Sequence, residues 1–184
     1  MELRTAYGLF ESADGQGNGL RPIVDIVRQK YPNIKTPIHA WDDDIIGSVR
    51  AIIAAGESGG PNIWLGHSYA IAAMIRAAKA LSGDGYLVHQ IIAVDGVTRL
   101  VWGQFKYNNW RPPQDVIMSG HFFYQKNQRE PDSSILLEPD GNLWVNEDLT
   151  SLGVDHCTIC ATDRVKEYVL ATVDKFATVG SPAA

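Results

Sequence analysis

The sequence predicts an α/β fold organised around a mostly parallel sheet. Short apolar runs alternate along the chain with stretches whose apolar residues recur at helical spacing, the pattern of successive strand–helix units. One run, Val88 to Val94, is almost continuously apolar, as a strand buried on both faces must be. Glu11-Ser-Ala-Asp-Gly-Gln-Gly-Asn-Gly19 between the first two elements reads only as a loop.

Taken in order, Leu3 to Phe10 is predicted as the first strand. A helix follows from about Leu20 to Tyr31, with Leu20, Ile23, Val24 and Val27 on one face. Ile34 to Trp41 is the second strand. Asp42, Asp43 and Asp44 then place negative charge at the positive dipole end of a helix that directs Ile45, Ile46, Val49, Ile52 and Ile53 inward. Asn62 to Leu65 is a short strand, Gly66-His67-Ser68 a tight corner, and the alanine-rich stretch Tyr69 to Leu81 a helix. After Val88 to Val94, Val116 to Tyr124 is a weaker strand. Ser134 to Val145 suggests a hairpin around Pro139-Asp140-Gly141-Asn142. Asp163 to Val179 is the last helix, its apolar face made by Val165, Tyr168, Val169, Val173 and Phe176. Residues 1–180 read as one domain and 181–184 as a disordered tail.

Composition narrows the classes of function. The 184 residues include 16 basic and 21 acidic ones, a net charge of −5, whereas a phosphate backbone demands a basic face; nucleic acid is not an expected partner. No apolar run approaches the roughly 20 residues of a membrane span. The first residues carry no signal-peptide pattern, and the two cysteines, Cys157 and Cys160, cannot form a disulfide framework. A soluble, cytoplasmic protein is the expectation.

Chemistry concentrates in Asn62-Ile-Trp-Leu-Gly-His-Ser-Tyr-Ala-Ile-Ala-Ala-Met74. An apolar strand runs into a serine and an amphipathic helix runs out. A turn this sharp crowds its neighbours, so residues two places either side of the serine must be small, and Gly66 and Ala70 are. The turn lifts the Ser68 hydroxyl out at the carboxyl end of the sheet, and the N–H of Tyr69 points toward an oxyanion forming beside it. The alternative role for such a serine is to cap the following helix.

This segment resembles the nucleophile elbow of the α/β-hydrolase superfamily, in the form with alanine at the last position. The resemblance implies a single-domain, minimal hydrolase fold with helices on both faces of the sheet, beginning at the superfamily's third strand and leaving little room for a lid. It also implies the chain order serine, acid, histidine. His39 precedes the serine, His67 is expected to point away across the turn, and His89 and His121 lie on or beside strands. His156, in Gly153-Val-Asp-His156 before the last helix, stands where such enzymes carry their base. For the acid, Asp95 ends the run Ile91-Ile-Ala-Val-Asp95 and ranks above Asp132, while the later strand ends in Phe122-Phe-Tyr-Gln125 with no acid at its tip. Asp155 is too close in sequence to reach its neighbour's ring. The second oxyanion donor is expected from the loop after the first strand, at Leu9 or Phe10. Trp102, Phe105, Tyr107 and Trp110 stand in a connection that borders the cleft in the resembling enzymes; Trp102 and Phe105 are candidates for a substrate pocket, with core packing as the alternative.

Two other readings are weaker. Gly15-x-Gly17 between a strand and a helix has the setting of a dinucleotide fingerprint, but Leu20 stands where a glycine or alanine is required. His156-Cys157-x-x-Cys160 has one pair where structural zinc wants four ligands, so both cysteines are expected to be small buried residues. The expected activity is hydrolysis of carboxylic esters of short or medium chain, with a small-molecule ester as substrate and no metal or cofactor. A thioesterase or amidase using the same groups, or a non-catalytic binding module on the same fold, is the alternative.

Overall fold

A computed structural model describes residues 1–7, 20–57, 60–99, 105–106, 112–127 and 143–179, with the main chain only at 98–99, 105–106 and 179. In chain order the strands are β1 (Glu2–Tyr7), β2 (Ile38–Ala40), β3 (Asn62–His67), β4 (Gln90–Val94), β5 (Thr98–Arg99), β6 (Phe105–Lys106), β7 (Gly120–Tyr124) and β8 (Trp144–Asp148). The helices are α1 (Leu20–Lys30), α2 (Ile45–Ala54), α3 (Ala70–Ala80) and α4 (Asp163–Val179). Six strands form a sheet in the order β2-β1-β3-β4-β7-β8, every pairing parallel, while β5 and β6 pair antiparallel with each other.

β1, β3 and β4 are buried at every position, because each has a strand on either side and helices above and below. Alternation along them divides the core in two. Ala6, Trp64, Ile91, Ala93 and Phe122 pack toward α2 and α3, whereas Leu3, Tyr7, Ile63, Leu65, Ile92, Val94 and Phe123 pack toward α1 and α4. Both helical faces follow their periodicity: Leu20, Ile23, Val24 and Val27 are buried on α1, and Val165, Val169 and Val173 on α4. On α2 only Ile45 and Val49 are buried, with Ile46 and Ile53 partly so. Asp44 caps that helix, its Oδ1 accepting from Gly47 N at 2.8 Å. Lys30 and the Tyr31 hydroxyl both reach Asp174, which ties the end of α1 to α4.

Several boundaries differ from expectation for physical reasons. β1 is described through Tyr7, so its expected continuation over residues 8–10 lies outside the described residues, as do 128–142 and 181–184. β2 is only three residues long, because Pro37 has no N–H to donate; the carbonyls of Lys35 and Pro37 still accept from Leu3 N and Thr5 N. β3 continues through Gly66 and His67, which stay in register with Ala93 and Val94. The first arm and turn of the expected hairpin, residues 134–142, lie outside the described residues. Residues 144–148 form a parallel strand beside β7, with Trp144 opposite Gly120. A Cβ on Gly120 would stand 2.7 Å from the Trp144 ring, so the close approach of these strands needs the glycine.

A buried polar cluster lies on the α2 side of β1. Arg4 is fully buried; its Nε donates to Glu2 Oε1 at 2.8 Å, and its Nη1 donates to Ser48 Oγ at 3.0 Å and to His39 Nε2 at 2.5 Å. The guanidinium has no acceptor lone pair, so His39 Nε2 is the acceptor and that imidazole is neutral. Burial, and then the Arg4 charge, push its pKa down to about 4.

Candidate active site

The carboxyl ends of the parallel strands converge on one edge, and the chain leaves β1 toward β2 on one side and β3 on the other. The crevice outside such a reversal is where open α/β sheets bind ligands. Ser68 follows β3 there, Asp95 follows β4, Gln125 follows β7, and the loop bearing His156 follows β8.

Ser68 has φ of 59° and Asp95 φ of 47°, the two non-glycine residues in the left-handed region among those described. Backbone held there costs on the order of 1–3 kcal/mol and needs surroundings that over-determine it. Ser68 N donates to Val94 O, Asp95 N donates to Phe123 O, and Val97 N donates to Ser68 O; the two corners are thus tied to neighbouring strands and to each other. A Cβ on Gly66 would come within 2.7 Å of both Ile71 and Met74, and Ala70 is wholly buried, which explains the small residues flanking the serine. Ser68 does not cap α3: its N-cap is Tyr69, with no side-chain capping bond.

The serine hydroxyl instead meets an imidazole. His156 Nε2 lies 2.7 Å from Ser68 Oγ, and its Nδ1 lies 2.6 Å from Asp95 Oδ2. Asp95 is wholly buried and acceptor-only when ionised, so Nδ1 carries the proton and the Nε2 lone pair faces the hydroxyl. Asp155 fixes the loop rather than the ring: its Oδ1 accepts from Cys157 N, Thr158 N and Thr158 Oγ1. The Thr158 hydroxyl and then its N–H hold the Asp155 carboxyl below its usual range.

Two supporting residues went unrecognised in the sequence. His67 was expected to point away; its Nε2 lies 2.8 Å from the main-chain oxygen of His156, and the two rings sit 4.7 Å apart. Gln125, at the tip that lacks an acid, donates from Nε2 to Asp95 Oδ2 at 2.9 Å. Neither residue type announces such a role locally. Gln125 carried the only available signal, a polar side chain ending an apolar strand beside the one that ends in Asp95.

Tyr69 starts the turn into α3, where the first N–H groups have no helical partner. Leu9, Phe10, Trp102, Tyr107, Trp110, Asp132 and the Gly15–Gly19 segment lie outside the described residues, as does the Phe105 side chain. Both His156 ring nitrogens are engaged, which leaves none for a metal shared with the cysteines. Cys160 is buried as expected, but Cys157 is exposed, because its turn directs it outward from the 3-10 segment Ile159–Ala161. Among the described residues no group of three or more His, Cys, Asp or Glu side chains could hold a metal ion, and no helix is long and apolar enough to cross a membrane.

No protein-family profile matches the chain, and none of the curated proteins compared with it matches in sequence.

Proposed function

We propose that this protein is a serine hydrolase of the α/β-hydrolase type that cleaves carboxylic esters. The observation that carries the reading is the imidazole of His156, hydrogen-bonded at one nitrogen to the Ser68 hydroxyl and at the other to the buried carboxylate of Asp95. A serine at its ordinary pKa is a poor nucleophile and needs such a base. The order of serine, acid and histidine along the chain follows what the resemblance implies, and the strain at Ser68 and Asp95 suits a preorganised site.

In the proposed reaction Ser68 Oγ attacks the ester carbonyl while His156 Nε2 takes its proton. Asp95 holds the ring's tautomer and stabilises the imidazolium. The N–H of Tyr69, with that of Leu9 or Phe10, stabilises the tetrahedral oxyanion. His156 then gives its proton to the leaving alcohol, and water, activated by the same ring, releases the acid. Thioesters and activated amides pass through the same intermediate.

Labelling with a fluorophosphonate probe, mapping of the modified peptide, and a panel of p-nitrophenyl esters from acetate to octanoate test the proposal. Modification at Ser68 and ester turnover that disappears in Ser68→Ala are expected. A protein that neither labels nor turns over any ester overturns it and leaves the binding-module reading; turnover confined to thioesters or amides moves the substrate class.

A further inference from the structure

We propose that Gln125 is a positioning residue for Asp95, and that Asn127 couples it to the loop carrying His156. The inference rests on the hydrolase reading above and concerns how the acid and the base are held in register.

Gln125 is almost wholly buried, and its Nε2 donates to the same carboxylate oxygen, Oδ2, that His156 Nδ1 meets. The other oxygen, Oδ1, is buried with no hydrogen-bond partner among the described residues. Among the described residues the rotation of the carboxylate is therefore set at Oδ2 alone. Asp95 also sits on left-handed backbone, a conformation that its surroundings have to hold in place.

The Gln125 amide is itself oriented. Its Oε1 accepts from Asn127 N at 2.7 Å, so Nε2 is the end that faces Asp95. The Asn127 side chain donates from Nδ2 to Thr150 O at 2.9 Å and to Val154 O at 2.8 Å. Val154 lies two residues before His156, so the bonds run from Asp95 through Gln125 and Asn127 to the histidine loop, and back to Asp95 through the ring. A glutamine can donate to one partner and accept from the other at once; an ionised glutamate of the same shape can only accept.

The test compares Gln125→Leu, Gln125→Glu and Asn127→Ala in the full chain by two readouts, with folding checked by circular dichroism. The first is kcat per serine titrated by fluorophosphonate, across pH. The second is the downfield NMR signal of the His156 Nδ1 proton, which needs no turnover. The titratable groups facing His156 among the described residues are Asp95, His67 and Asp155, and none of the three variants removes them.

Losing a hydrogen bond to a charged group predicts a fall in kcat of about tenfold to a hundredfold for Gln125→Leu, with KM little changed. Gln125→Glu sets a second buried carboxyl against Asp95, and such a pair holds on to one proton, so its kcat falls as rising pH removes that proton and the two carboxylates repel. Asn127→Ala shows a smaller loss of kcat. The Nδ1 proton signal shifts or broadens in all three. Folded variants with wild-type kcat, pH profile and proton signal overturn the proposal. A wild type that neither labels with fluorophosphonate nor turns over any ester sinks the hydrolase reading, while an altered proton signal in the folded variants still upholds the role of Gln125.

Discussion

His67 Nε2 lies 2.8 Å from the main-chain oxygen of His156, with the two imidazole rings 4.7 Å apart. A carbonyl only accepts, so this nitrogen of His67 carries a proton. The residue just before the serine thus fastens the main chain of the residue that meets it, across a sequence separation that only folding closes. His67→Phe keeps a ring in that space and loses the bond. Its kcat on a p-nitrophenyl ester should fall about tenfold, the worth of one hydrogen bond, with KM nearly unchanged. His67→Gln, whose amide reaches nearly as far, should recover part of the loss. Wild-type kcat in His67→Phe would show that the contact does not hold the base in place.

The acid separates in the same way. Asp95 is wholly buried, and its Oδ2 meets the His156 ring at 2.6 Å. Asp95→Asn keeps the shape but presents an amide that can stabilise the wrong tautomer, a change that in the serine-protease triad lowers kcat by about 10⁴. A loss on the order of 10³ or more is expected here, against little change for Asp132→Asn. Steady-state rates of the two variants decide the ranking, and a larger loss at Asp132 reverses it.

Much of this was legible in the sequence, and what was not has a common cause. The apolar faces of α1 and α4 follow local spacing, and Asp163 begins α4 as expected. Ser68 could be chosen because a strand-to-helix corner leaves a local mark, and Asp95 and His156 because the resemblance that corner carries implies an acid and then a histidine later in the chain. β8 could not, because the turn-like Pro139-Asp140-Gly141-Asn142 says nothing about which strand Trp144 lies against; that depends on the indole fitting over Gly120. Gln125 and His67 escaped for the same reason. An amide and an imidazole acquire their roles only from partners 30 and 89 residues away.

The two glycines that let strands and helices approach should differ in what they tolerate. A Cβ at Gly66 meets the flexible ends of Ile71 and Met74, whereas one at Gly120 meets the rigid Trp144 ring at 2.7 Å and Ile91 at 3.1 Å. Overpacking a well-filled core costs about 1–3 kcal/mol, and a rigid neighbour puts Gly120→Ala at the upper end of that range. Gly66→Ala should sit at the lower end, because the thioether and the Ile71 methyl can turn aside. Urea unfolding of both variants tests the order, which is wrong if Gly66→Ala proves the less stable.

The cluster around Arg4 makes stability depend on pH. His39 is neutral in the folded protein, its pKa pushed from 6.5 to about 4 by burial and by the Arg4 charge. Between those values the unfolded chain binds a proton that the folded one refuses, so unfolding is favoured as pH falls. The contribution is fully present above pH 6.5 and is lost as pH drops toward 4, amounting to roughly 2–3 kcal/mol over that window. His39→Gln keeps an oxygen acceptor for Arg4 but has nothing to titrate. Urea unfolding between pH 7 and pH 4 should therefore show a shallower fall in stability for this variant than for the wild type. Parallel curves would mean that His39 titrates alike in both states, and that the Arg4 contact does not keep its ring neutral.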